Sequence, residues 1–113
     1  MTNADHKPAI ANWIAAANSH DPRAFLAYFD EDAVLDDPSV GAQFDGHDGI
    51  AEYFTRYFIG YNTTTELVSV TPQGGSLHVV VVFSGDFPGG RTGGIFNLTF
   101  HGEKISFAHA DLT

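Results

Sequence analysis

The stretch EDAVLDDPSVGAQFDGHDGI, residues 31–50, decides how this chain is read. A short apolar run, Ala33-Val34-Leu35, leads into two adjacent aspartates, Asp36 and Asp37, and then into Pro38. Successive residues of a strand point to opposite faces. If Ala33–Asp36 is a strand, the two carboxylates meet different environments. Asp37, placed before Pro38, then reads in two ways. It is a turn residue that accepts backbone N–H bonds, or a carboxylate turned into an apolar site for acid–base work.

Working toward the N-terminus, HDPRAFLAYF (20–29) predicts a helix with Asp21 as its cap and Pro22 in its first position. Phe25, Leu26 and Phe29 form its buried face. Before it, Ile10, Trp13, Ile14 and Ala17 recur at helical spacing and predict an amphipathic first helix ending near Asn18-Ser19-His20. Toward the C-terminus, PSVGAQFDG (38–46) reads as a loop. Asp45 and Asp48 resemble a capping box that opens a third helix running through about Phe58. That helix buries Ile50, Tyr53, Phe54 and one of Tyr57 or Phe58.

Beyond residue 62 the character changes. TTTELVSVT (63–71), SLHVVVVFSGDF (76–87), RTGGIFNLTFH (91–101) and KISFAHADL (104–112) are β-branched or aromatic runs separated by glycine-rich turns. Three helices followed by an antiparallel meander, with one short strand among the helices, make an α+β layout with helices on one face of a curved sheet. SGDFPGGRTGG (84–94) lacks the Lys-Ser/Thr ending of a phosphate loop and leads into a strand, so it reads as a hairpin connection. The tightest closure of the last hairpin puts Gly102-Glu103 at the turn. His101 then opposes Lys104, Phe100 opposes Ile105, Leu98 opposes Phe107 and Phe96 opposes His109. Directly opposed residues share a face, so this register turns Phe107, His109 and Asp111 inward.

Composition narrows the function. The chain has 113 residues, a length at which one core forms, and 43% of them are hydrophobic. A formal net charge of −9 leaves no basic footprint for nucleic acid or for an anionic membrane surface. No cysteine is present, which removes disulfides, thiol nucleophiles and thiolate metal sites. No histidine pair has a spacing that suggests a metal. The N-terminus lacks the pattern of a signal peptide, and the expected location is cytoplasmic. Ten phenylalanines exceed what a minimal core needs, and the surplus suits the walls of a pocket.

With HDPRAFLAYFDEDAVLDDPSVGAQFDGHDGIAEYF (20–54) at its centre, this order of elements resembles the nuclear transport factor 2-like (NTF2-like) superfamily, which contains ketosteroid isomerases and SnoaL-type polyketide cyclases. The resemblance spans nearly the whole chain and implies one cone-shaped domain over residues 1–113, of the NTF2-like or cystatin-like kind. In the isomerases an Asp after the first short strand, in a carboxylate-Asp-Pro triplet, shuttles the proton. Asp36-Asp37-Pro38 stands there, so the resemblance puts Asp37 in the base position. The rest of the isomerase machinery is absent. The oxyanion-binding Tyr falls on Trp13, the supporting tyrosines on Phe29 and Phe54, and the protonated Asp on Phe96. A base without donors for the developing enolate forgoes what is usually the largest electrostatic term, so steroid isomerisation is rejected. The SnoaL-type cyclases rely on a carboxylate from the last strand, and Asp111 matches that place.

The expectation is therefore a small-molecule enzyme of isomerase, cyclase or lyase type. It performs acid–base chemistry on a hydrophobic carbonyl compound, without cofactor or metal. Asp37 is the base, His109 its partner facing the same cavity, and Asp111 an alternate carboxylate. Trp13, Tyr53, Phe54, Tyr57, Phe83, Phe96 and Phe107 are the walls. The alternative is a non-catalytic ligand-binding or protein-association domain of the same fold. Val79-Val80-Val81-Val82-Phe83 is apolar at every position, so both faces of its strand need cover. The helices supply one cover, and a homodimer through the sheet supplies the other.

Overall fold

A computed structural model describes residues 7–113. Its elements run α1 (Lys7–Asn18), α2 (Pro22–Leu26), β1 (Phe29–Asp37), β2 (Ala42–Asp45), α3 (Gly46–Phe54), a π-helical turn (Thr55–Ile59), β3 (Thr64–Gln73), β4 (Ser76–Ser84), β5 (Arg91–His101) and β6 (Lys104–Leu112). One six-stranded sheet takes the order β2-β1-β6-β5-β4-β3. The β1–β6 pair is parallel and the other pairs are antiparallel. This is the α+β architecture expected, with helices on one face of a curved sheet. Among the described residues no helix is long and apolar enough to cross a membrane.

Local chemistry explains most boundaries. Asp21 caps α2 by accepting the Arg23 N–H at 3.0 Å, with Pro22 in the first turn. The helix closes at Leu26, so Phe29 is not its last buried residue but the first of β1. The segment read as a loop contains a strand, because Ala42–Asp45 turns back and pairs with Val34–Asp37. Asp45 precedes α3 but gives no side-chain cap; its Oδ1 accepts from Gln43 Nε2 at 2.9 Å instead. Asn18 fastens the end of α1 to β3 through two bonds, Nδ2 to the Thr65 carbonyl and Oδ1 from the Thr65 N–H, at 2.8 and 2.7 Å.

The last hairpin departs from the expected register after two pairs. His101 opposes Lys104 and Phe100 opposes Ile105, as the turn at Gly102 requires. The next pair is Thr99 with Phe107, which leaves Ser106 as an extra, bulged residue. One extra residue flips every later side chain to the other face. Ala108 and Ala110 therefore point inward, 0% and 3% exposed, beneath Leu98 and Phe96. Phe107, His109 and Asp111 belong to the outer parity, with Phe107 39% exposed. The physical reason is volume. Leu98 and Phe96 already fill the inner layer opposite these positions, and alanine is what fits beneath them.

Six rings pack together in the core. Trp13, Phe25, Phe54, Phe58, Phe83 and Phe96 contact one another in a closed cycle, with neighbouring centroids 4.4–5.9 Å apart. Such pairs each contribute about 0.5–1.5 kcal/mol beyond their buried area.

The π-helical turn ends at Gly60, whose N–H donates to the Thr55 carbonyl at 2.9 Å. A Cβ at Gly60 would lie 2.5 Å from the Arg56 carbonyl oxygen, whereas a Cβ at Gly75 would meet nothing within 4 Å. Gly60→Ala is therefore expected to lower stability by about 1–3 kcal/mol, and Gly75→Ala to lie within about 0.5 kcal/mol of the parent. Urea unfolding of both variants checks the contrast.

Candidate functional site

Asp37 is the last residue of β1 and falls on the inward parity of that strand, 5% exposed. Its Oδ1 accepts from the Ser39 N–H at 3.0 Å and from the Ser39 hydroxyl at 2.5 Å. Its Oδ2 accepts from the Tyr53 hydroxyl of α3 at 2.8 Å. Asp37 is thus a turn residue, as the first reading has it, and its side chain also reaches inward. One oxygen closes the turn that leads into β2, and the other is bonded across the interior to a helix. Asp36, one residue earlier, faces outward and accepts from His109 Nδ1 at 3.2 Å.

A cavity of about 280 Å³ opens beside Asp37. Its aromatic lining comes from Tyr53, Tyr57, Phe58, Tyr61, Phe83 and Phe87; Ser39, Thr63 and Thr92 are its hydroxyl-bearing neighbours. The helical stretch that ends in the π turn supplies three of these rings. Tyr53 and Tyr57 are one helical step apart. The widened turn keeps Phe58 inside while Tyr57 stays half-buried at the cavity. Phe83 comes from β4 and crosses over Gly94 of β5, where an added Cβ would overlap its ring. Ala110 and the backbone neighbours Asp111 and Leu112 form the rim from β6.

The expected site residues divide accordingly. Asp37, Tyr53, Tyr57 and Phe83 meet at one cavity, and Asp111 borders it. The Asp111 Oδ1 accepts the Leu112 N–H at 2.9 Å, and its strand parity is outward. His109 does not face the cavity with Asp37. The bulge at Ser106 carries it to the outer face, where Asp36 is its partner. Phe107 lies on that outer face too, and so is no wall. Trp13, Phe54 and Phe96 sit in the closed ring cycle rather than on the cavity, each at most 2% exposed. Trp13 Nε1 has no hydrogen-bond partner among the described residues. It is enclosed by the rings of Phe25, Phe29 and Phe96.

Tyr61, Phe87, Thr63 and Val40 are among the cavity neighbours that escaped sequence reasoning. Tyr61 follows Tyr57 at helical spacing, a signal that was available. Phe87 sits in the glycine-rich connection, and its ring meets Tyr61 at 5.9 Å. Thr63 is held by its hydroxyl donating to the Tyr57 carbonyl at 2.9 Å. Val40 lies in the turn after Asp37. No hydrophobic periodicity marks the last three.

The electrostatics favour a neutral phenol beside the carboxylate. Burial pushes the Tyr53 hydroxyl well above the ordinary phenol value of 10.0, and the negative charge of Asp37, its hydrogen bond and Tyr57 push it further in the same direction. A group whose folded value is raised stabilises the fold fully below its unfolded value and loses that contribution as pH rises through the folded one. Stability is thus expected to fall above about pH 10 with a component that Tyr53→Phe removes. Denaturant unfolding of both proteins across the alkaline range checks it.

A profile of the SnoaL-like domain matches residues 10–109. No protein of curated function matches the chain. Among solved structures, a provisionally designated polyketide cyclase from Sinorhizobium meliloti superposes with a TM-score of 0.84 at 22% identity, covering 97% of this chain and 99% of that one. A protein of ketosteroid isomerase-like fold from Catenulispora acidiphila, in complex with trimethylamine, gives 0.80 at 20% identity over 89% and 82% of the two chains. A de novo designed protein with a curved β-sheet gives 0.81 at 12% identity over 100% and 88%. At these identities the likeness is one of fold.

Proposed function

The chain belongs to the SnoaL-like domain family of the NTF2-like superfamily, and on that footing we propose a cytoplasmic small-molecule enzyme that performs acid–base chemistry on a hydrophobic carbonyl compound. The observation that carries the proposal is the buried Asp37 carboxylate on the cavity wall, held by Ser39 and Tyr53. An ionised carboxylate offers roughly four acceptor positions. Ser39 and Tyr53 occupy three, and the fourth is left for a proton drawn from carbon. Once Asp37 takes that proton it is neutral. The Tyr53 phenol is then released from a charge-assisted bond and can donate to the oxygen that gains charge. Return of the proton to a different carbon completes an isomerisation; attack of the carbanion on a second carbonyl carbon of the same molecule, whose C=O π electrons become an alkoxide that takes the proton back from Asp37, is the corresponding cyclisation. Tyr53 thereby fills the donor role that Trp13, locked in the core, does not. Asp111 at the rim is the alternate carboxylate, and His109 takes no part.

One observation favours the second reading, a non-catalytic binding domain. The closed ring cycle fills the core beside the cavity, and by the resemblance Trp13 and Phe96 stand where the isomerases carry oxyanion donors. Asp37→Asn separates the two. For the enzyme, kcat is expected to fall at least about 10²-fold while affinity for a neutral carbonyl ligand stays within about twofold. Turnover that persists in the variant contradicts Asp37 as the base.

The outer sheet face completes the proposal. Val80 pairs with Ile95 and Val34 with Phe107 there, and Val82 adds to the same face. We place a second copy of the chain over this patch. Sedimentation at micromolar concentration is expected to give about twice the 12.2 kDa chain mass; a monomer contradicts it.

A further inference from the structure

We propose that the molecule taken by the cavity carries an alkylated ammonium group, an inference that rests on reading the cavity as a small-molecule site. Two observations lead to it. The first is an unbalanced charge. Asp37 is 5% exposed, and among the described residues no Lys, Arg or His forms an ion pair with it. None of the residues lining the cavity is basic. Buried carboxylates are ordinarily paired with a cation or a metal, because hydrogen bonds alone return only part of the lost hydration. Three donors satisfy this one, yet among the described residues no cation stands beside it as a countercharge. A ligand that brings a positive charge supplies it.

The second observation is the shape and chemistry of the aromatic wall that begins at Tyr53, the hydrogen-bond partner of Asp37. Tyr53, Tyr57, Tyr61 and Phe87 follow one another as an arc of rings, with successive centroids 5.4, 6.4 and 5.9 Å apart. Successive planes are turned by 52°, 35° and 80°, so the arc curves instead of forming a flat stack. Aromatic faces attract cations within about 6 Å, and such rings are how proteins recognise quaternary ammonium groups. Tyr57 is half-buried and Tyr61 is 39% exposed, so this wall is reachable from solvent.

Alkylation follows from the character of the lining. A primary ammonium presents three N–H donors that call for converging acceptors, whereas away from the carboxylates of Asp37 and Asp111 the lining is mainly aromatic and aliphatic. A methylated ammonium needs no such acceptors. Its charge is spread over apolar groups that suit tyrosine and phenylalanine faces. The formal net charge of −9 acts in the same direction by drawing cations toward the chain. The ammonium lies between the arc and Asp37, and the reacting carbonyl compound is the remainder of the same molecule.

The test uses choline, its neutral isostere in which carbon replaces the nitrogen, and a small hydrophobic ketone. Each is titrated into the full chain and followed by the amide resonances of Tyr57, Tyr61 and Ala110. Choline is expected to bind at least about tenfold more tightly than its isostere. Asp37→Asn is expected to remove about tenfold from choline and leave the isostere within twofold, and Tyr57→Leu to cost choline at least about threefold. The isostere or the ketone binding as tightly as choline, in the parent protein, overturns the ammonium inference and leaves the small-molecule reading standing. Failure of all three to shift cavity resonances overturns both. An affinity for choline that is unchanged in both variants places the cation elsewhere and likewise overturns the inference.

Discussion

The hydrogen bond from Tyr53 to Asp37 is the contact on which the site depends. It joins the end of β1 to the inner face of α3, and it does so at the edge of the cavity. Its existence requires that Asp37, and not Asp36, have the inward parity, which the strand Phe29–Asp37 provides. It also requires a turn tight enough to leave the carboxylate in place, which Ser39 provides by donating twice to Oδ1. Charge and desolvation act together here. The phenol stays protonated because it is buried and because a negative charge stands 2.8 Å away.

Around that contact, the interior divides into a filled part and an open part. Trp13, Phe25, Phe54, Phe58, Phe83 and Phe96 pack their ring edges and faces against one another in a closed cycle. Tyr53 bonds Asp37, and Tyr57, Tyr61 and Phe87 continue the aromatic surface outward along the cavity. Phe58 and Phe83 belong to the ring cycle and also line the cavity. The surplus of phenylalanine seen in the sequence thus serves the core first and the cavity second. The designed curved-sheet protein of the same shape indicates that the architecture can stand without any inherited activity. Function must be argued from the site's own groups.

Parity and capping made much of this legible from the chain alone. The split of Asp36 and Asp37 followed from strand alternation, α2 from Asp21-Pro22, and the four meander strands from their β-branched runs. What escaped was set by single residues with no local signature. Ser106 is an ordinary serine, yet as a bulge it reverses the facing of Phe107, His109 and Asp111. In FAHAD (107–111) the register counted from the turn placed Phe107, His109 and Asp111 inside, and it failed beyond Ile105 because Phe96 and Leu98 had already taken the volume. Strand β2 escaped because only Phe44 of its four residues is buried. The assignment of Trp13, Phe54 and Phe96 to core and not to wall depended on ring-to-ring distances that no pattern encodes.

The account stands or falls on whether Asp37 and Tyr53 interact as a charge-assisted pair inside the fold. A double-mutant cycle measures this directly, using Asp37→Asn, Tyr53→Phe and the combined variant in reversible denaturant unfolding near neutral pH. Hydrogen bonds to charged groups contribute about 1.5–3 kcal/mol, and residues in direct contact show coupling of about that size. A coupling energy of at least about 1 kcal/mol is the result the account requires. Strict additivity of the two substitutions would contradict it, because it would mean that the carboxylate and the phenol do not meet in the folded chain.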